Sequence, residues 1–174
     1  MTEVVGNLHV KIETDIARAD MLVLVVFTAW FMGIFHWRSE EAIHILVKHS
    51  PKNRTTGFVP EVAGDTAIVE LARRPKLPQY GKDPRFRADM LYQMDTVEEC
   101  LVATLAHELA HLRGMTGQKD GEFFCELAAR AALTAYRDYF RTVQSAIDDV
   151  SRSGSKATIF RSLFARVKHC AKLR

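Results

Sequence analysis

An uncharged stretch of fifteen residues, MLVLVVFTAWFMGIF at positions 21–35, constrains the fold of this chain more than any other feature. It is shorter than the ~18 apolar residues that usually mark a membrane span. Thr14 or Asp15 can cap a helix that continues to residue 36. We therefore expect a long helix over 14–36, buried on nearly all sides in the core, and a membrane anchor is the alternative.

The composition is that of a folded protein with a core. The chain has 174 residues, of which 48% are apolar and 26% charged, so wholesale disorder is excluded. Its three cysteines, Cys100, Cys125 and Cys170, are far apart, which argues against a disulfide scaffold or a zinc ribbon. We expect Cys100 and Cys125 to be buried thiols rather than metal ligands. The N-terminal residues lack the pattern of a signal peptide, which predicts a cytoplasmic or other intracellular protein that is not secreted.

Two segments in the middle of the chain have the pattern of strands. Residues 42–50 alternate apolar and polar side chains, and residues 65–73 form the second good strand. The segment 73–95 contains three prolines and shows no steady period, so we predict a long loop with at most one helical turn.

Residues 96–114, TVEECLVATLAHELAHLRG, predict a helix with clear ends. Thr96 followed by Glu99 matches a capping box, and Gly114 can supply a left-handed C-terminal cap. Arg113 suits the negative end of the helix dipole. A second long helix is expected to begin near residue 121.

The helix over 96–114 carries two histidines four residues apart, His107 and His111. Residues at this spacing lie on one helix face, so both imidazoles can point at a single ion. Glu108 is rotated by about 100° from His107, which puts its carboxylate beside such an ion, where it can act as a general base. The spacing therefore predicts a metal-dependent hydrolytic site.

This five-residue pattern, His107-Glu108-Leu109-Ala110-His111, resembles the signature of the zincin metallopeptidases. The order of predicted elements is similar to the small SprT-like branch over roughly residues 14–140. The resemblance implies an α+β zincin-like fold with a long N-terminal helix, a small twisted sheet, the active-site helix and a following long helix. It also implies one Zn²⁺ per chain and hydrolysis of peptide bonds in a protein or peptide substrate.

The third metal ligand is not decided by the sequence. In the SprT-like branch a histidine in a His-Gly-x-x-Phe segment serves, and this chain has Asp120 in the corresponding place. Asp120 is the first candidate because a carboxylate can bind zinc, although Asp is also a common helix cap. Glu122 and Glu126 are the alternatives, since other zincins use a helical glutamate with an acidic residue one turn later. With no third ligand, the site would be degenerate.

Two further features relate to the substrate. Zincins hold extended peptides on an edge strand above the active-site helix. The strand at 65–73 can serve this way or be an ordinary core strand, and its residues fit both alternatives equally well. Tyr80 and Tyr92 in the following loop are candidate donors to a developing oxyanion.

The C-terminal end is basic. We divide the chain into a zincin-like domain at 1–150 and an amphipathic tail at 151–174, which has seven Lys or Arg from Arg152 onward and no acid. The tail could pack its apolar side on the domain, bind phosphates of nucleic acid or bind an anionic membrane. The candidate contact residues are Arg161, Arg166, Lys168 and Lys172. The alternative function is therefore a catalytically degenerate scaffold that binds nucleic acid or membrane through this tail.

Overall fold

Three helices and a small mixed sheet make up the part of the chain that the structure, a computed structural model, describes. The fold class is α+β, as the sequence predicted. The described residues are 2–13, 18–34, 42–50, 52, 54–60, 65–72, 74–81, 92–115 and 121–153.

The strands form a five-stranded sheet and a separate two-stranded pair. The strands in chain order are β1 (Thr2–Val5), β2 (Leu8–Glu13), β3 (Ile43–Ser50), β4 (Thr56–Phe58), β5 (Thr66–Ala72), β6 (Gln79–Tyr80) and β7 (Gln93–Met94). The larger sheet has the order β1-β2-β3-β5-β4, in which β2, β3 and β5 are parallel and both outer strands are antiparallel to their neighbours. The segment 73–95, which was predicted to be a loop, contains the short strands β6 and β7, which pair with each other.

The helices are α1 (Arg18–Phe31), α2 (Val97–Ala110) and α3 (Gly121–Ser153), and a π-helical turn (His111–Met115) follows α2 directly. The α1 helix connects the parallel strands β2 and β3, as parallel pairing requires a crossover. It packs against β2 and α2, while α2 packs against β4, β5 and β7. The helix that carries the two histidines is therefore central to the fold.

One face of the sheet belongs to the core. Alternate residues of the three parallel strands are buried: Leu8, Val10, Ile12, Ile43, Ile45, Val47, Ala67, Val69 and Leu71. The opposite face carries polar groups in register, and the Lys48 ammonium lies 3.1 Å from a carboxylate oxygen of Glu70, its neighbour on β5. This alternation is the pattern of a sheet covered on one side by helices.

The first hairpin, β1 and β2, was not predicted. Its signal is nevertheless in the sequence, because Leu8, Val10 and Ile12 alternate with polar residues after a Gly6-Asn7 turn.

The apolar helix α1 is buried on one side rather than on nearly all sides, so that part of the prediction is wrong. Its buried residues recur at helical spacing and are Met21, Leu24, Val25, Thr28, Ala29 and Met32. On the other side, Val23 and Trp30 are 65% and 49% exposed. Among the described residues, no helix combines the length and the apolar character needed to cross a membrane.

The predicted ends of α2 are confirmed. The Thr96 hydroxyl accepts a hydrogen bond from the Glu99 backbone N–H at 3.1 Å, and the Glu99 carboxylate accepts one from the Asp95 N–H at 2.7 Å. At the other end, Gly114 has a φ of 81°, where only glycine is unstrained. Arg113, which was predicted to suit the helix dipole, donates a hydrogen bond to the Met32 carbonyl just beyond α1 at 2.7 Å.

Replacing Thr96 with alanine removes this cap, and we expect the free energy of unfolding to fall by about 1 kcal/mol. Urea unfolding followed by circular dichroism measures the change. Thr134→Ala is the control, because this exposed residue lies inside α3, where alanine is the better helix former. Equal losses in the two variants would contradict the assigned cap.

The chain divides into two compact units, Met1–Leu133 and Thr134–Arg174. The boundary falls within α3, and every residue of the candidate site described below belongs to the first unit. In the second unit, the rings of Tyr136 and Phe140 lie 4.9 Å apart. The predicted division at residue 150 stays a prediction, and most of the basic tail, from residue 154, lies outside the described residues.

Candidate metal centre

The two histidines predicted as metal ligands lie together at the end of α2. The Nε2 atoms of His107 and His111 are 3.0 Å apart, and the ring centroids are 4.8 Å apart with the planes inclined at 64°. Burial lowers the pKa of His111, and the adjacent His107 lowers it further, so neutral imidazole is favoured. The neutral ring is the form that binds a metal ion.

Glu122, at the start of α3, contacts both histidines. One of its carboxylate oxygens is 3.3 Å from His107 Nε2, and the other is 3.4 Å from His111 Nε2. Its side chain is 66% exposed, so it reaches the histidines from the solvent side. Of the three predicted candidates for the third ligand, Asp120 lies outside the described residues, and Glu122 is the carboxylate nearest the Nε2 pair.

The distances among these three side chains fit a metal ion. Zinc is bound by nitrogen and oxygen at about 2.0–2.2 Å with tetrahedral angles, so two such ligand atoms lie roughly 3.3 Å from each other. The separations of 3.0, 3.3 and 3.4 Å are close to that value. His107, His111 and Glu122 could therefore hold a zinc ion with little rearrangement.

Glu126, one turn after Glu122, stands on the other side of the His107 ring. One of its oxygens is 3.9 Å from His107 Nδ1, and the other accepts a hydrogen bond from the Tyr92 hydroxyl. Burial and this carboxylate raise the pKa of Tyr92. A carboxylate beside the second ring nitrogen commonly orients a histidine that binds a metal ion. The position of Glu126 suits this orienting role better than direct binding of the ion.

Glu108 is buried beside strand β4, with only 5% of its surface exposed. Burial raises the pKa of its carboxyl to about 8, and the charges of Glu122 and Glu126 add to the effect. The backbone of Gly57 passes directly over it, since a Cβ at that position would lie 2.6 Å from Glu108 Cγ. The predicted general base thus lies in a buried position with a strand against it.

Cys125 is the member of this cluster that the sequence prediction missed. It is fully buried, as predicted, but its sulfur and one ring nitrogen from each of His107 and His111 all lie within 4.8 Å of one another. The signal that could have found it is its spacing. Residues 122, 125 and 126 lie at i, i+3 and i+4, so all three share the face of α3 that carries the acidic candidates.

A cavity of about 170 Å³ opens beside His107 and Glu108. Tyr80 and Tyr92, the two predicted oxyanion donors, both line it, and so does Arg54. Gln79 also lines the cavity, and its side-chain oxygen accepts a hydrogen bond from the Thr55 N–H at 3.3 Å. The cavity therefore offers polar donors next to the predicted base.

Of the two alternatives for the strand at 65–73, the structure supports the core strand. The strand predicted at 65–73 is β5, which lies between β3 and β4, so its edges are already paired. The outer strand on this side of the sheet is β4. Sequence patterns show that a strand exists, whereas its place in the sheet depends on pairing between distant segments.

Other predicted residues stay untested by the structure. The candidate contacts of the tail with nucleic acid or membrane, Arg161, Arg166, Lys168 and Lys172, lie outside the described residues.

Comparisons of the chain with protein-family models, with curated proteins and with solved structures give no match.

Proposed function

We propose that this protein is a zinc-dependent peptidase with a zincin-like centre. In this proposal His107, His111 and Glu122 hold the ion, and Glu108 is the general base. The observation that carries the proposal is the meeting of three potential ligand side chains: the two Nε2 atoms lie 3.0 Å apart, and a different oxygen of the Glu122 carboxylate faces each of them, at 3.3 and 3.4 Å. Ligand atoms of one tetrahedral zinc ion lie at about this spacing.

The chemistry assigned to Glu108 follows from its surroundings. When bound, a zinc ion supplies the Lewis-acid charge that makes water acidic near neutral pH. Glu108 accepts a proton from the attacking water and passes it to the leaving amine. A general base must be ionised, and a cation held by the neighbouring His107 and His111 would lower the raised pKa of this buried carboxyl.

The carboxylates on α3 support the same assignment. Glu122 and Glu126 are four residues apart, as in zincins that use a helical glutamate as the third ligand with an acidic residue one turn later. Glu126 lies near Nδ1 of His107 and is itself held by the Tyr92 hydroxyl. Such support keeps a ligand histidine in one orientation.

The order of elements also agrees with a zincin-like domain. A helix, a small mixed sheet, the helix with the two histidines and a following helix succeed one another, after an additional N-terminal hairpin. The antiparallel strand β4 passes over Glu108 and is paired, among the described residues, with β5 alone. We propose that an extended peptide substrate adds to the other side of β4 through backbone hydrogen bonds.

Removing the metal is the experiment that tests this function. We expect a chelator to abolish hydrolysis of an unfolded protein substrate, and one equivalent of Zn²⁺ added after the chelator is removed to restore it. Circular dichroism before and after chelation checks that the fold survives. Hydrolysis that continues after elemental analysis shows the zinc to be gone would overturn the proposal.

A further inference from the structure

Cys125 occupies the interior side of the centre. Its side chain is fully buried, whereas the Glu122 side chain is 66% exposed. Cys125 therefore approaches the histidines from the protein interior and Glu122 from the solvent. Burial raises the pKa of the Cys125 thiol to about 12, with help from Glu122, Glu108 and Glu126. A thiol in this state is a poor nucleophile, so a cysteine-peptidase role does not fit it.

We propose that Cys125 is a further ligand of the metal ion, and that the centre therefore has a nitrogen–sulfur donor set that selects thiophilic divalent cations. The inference rests on the proposed metal site of His107 and His111. It adds to that proposal a ligand on the protein side of the ion. Thiolate and imidazole together suit Zn²⁺ and Co²⁺ and exclude Mg²⁺ and Ca²⁺.

The geometry is within reach of coordination. Zinc binds sulfur at about 2.3 Å and nitrogen at about 2.0 Å, so in a tetrahedral site the two ligand atoms lie roughly 3.6 Å apart. The sulfur and the two ring nitrogens lie within 4.8 Å of one another, so a side-chain shift of about 1 Å is sufficient. A bound cation also stabilises the thiolate form of Cys125, because a thiol that coordinates a metal ion loses its proton.

A fourth protein ligand has a consequence for the centre. Structural zinc sites have four protein ligands, whereas catalytic sites keep one position open. With His107, His111, Glu122 and Cys125 all bound, the ion has no open position. One of the last two ligands must then leave before a substrate is hydrolysed, and the exposed Glu122 is the freer of the two to move.

Cobalt spectroscopy tests the inference without relying on activity. The metal-free protein is loaded with one equivalent of Co²⁺, and the near-ultraviolet sulfur-to-cobalt charge-transfer band is recorded together with the visible d–d bands and the bound cobalt. We expect the charge-transfer band in wild type and in Cys100→Ser, the matched control with a second buried cysteine. We expect it to vanish in Cys125→Ser and Cys125→Ala, with cobalt bound at least about tenfold more weakly.

The outcomes separate this inference from the proposed function. Bound cobalt with d–d bands but no charge-transfer band in wild type would overturn the role of Cys125 and leave the histidine site standing. A band that persists in both Cys125 variants would also overturn it. No bound cobalt in wild type would sink this inference and the proposed metal site together.

Discussion

Glu108→Gln is expected to reduce peptide hydrolysis by about 10²–10⁴-fold, the usual contribution of a general base, while zinc content and fold remain unchanged. Glutamine has the shape of glutamate but cannot accept the proton of the attacking water. The fold tolerates the change because Glu108 is buried with a raised pKa, so an amide removes the cost of burying a charge. Initial rates on an unfolded protein substrate, with zinc measured in the same samples, give the result.

Glu98→Gln is the matched control, since it makes the same chemical change in the first turn of the same helix, away from the histidines. We expect this control to retain full activity. The alternative function is a degenerate scaffold that binds nucleic acid or membrane. It predicts that the wild type does not hydrolyse peptides, so that Glu108→Gln shows no loss of activity. Wild-type activity that survives the substitution would remove Glu108 from the mechanism.

Gly57→Ala is expected to cause the second large loss of hydrolytic activity, because strand β4 leaves no room for a methyl group above Glu108. The new Cβ would lie 2.6 Å from Glu108 Cγ and 2.8 Å from Thr104 Cγ2, so the strand or the base must shift. Overpacking of this kind costs roughly 1–3 kcal/mol of stability. A displacement of about 1 Å at a catalytic group can lower the rate about 100-fold.

Val4→Ala is the control for this prediction, because the Val4 side chain is 61% exposed on β1, the outer strand on the opposite side of the sheet from β4. Urea unfolding measures stability, and kcat and KM measured separately show whether chemistry or substrate binding suffers. We expect a loss mainly in kcat for Gly57→Ala and little change for Val4→Ala. Unchanged kcat and stability in Gly57→Ala would contradict the close approach of β4 to the base.

The local features of the fold could be predicted from the sequence because they depend on nearby residues. The cap at Thr96, the left-handed Gly114 and the pairing of two histidines on one helix face all follow from spacing and backbone preference. The hairpin at residues 2–13 has an equally local signal, because the Gly6-Asn7 turn precedes the alternating residues of β2.

The remaining features depend on contacts between distant segments. No pattern within residues 65–73 shows that another strand, β4, pairs with the outer side of β5. The third ligand was ambiguous for a related reason. Glu122, Cys125 and Glu126 share one face of α3, and only the way the start of α3 approaches His107 and His111 determines which of their atoms come near the histidines.

The proposed function requires a zinc ion held by His107 and His111, and the zinc content per chain tests this directly. The protein is purified without a metal-affinity tag, and elemental analysis is carried out on wild type, on His111→Ala and on His44→Ala, a control histidine on the exposed face of the sheet. We predict about one zinc per chain in wild type and in the control, and almost none in His111→Ala. No zinc in wild type, even after an equimolar addition followed by desalting, would contradict the account.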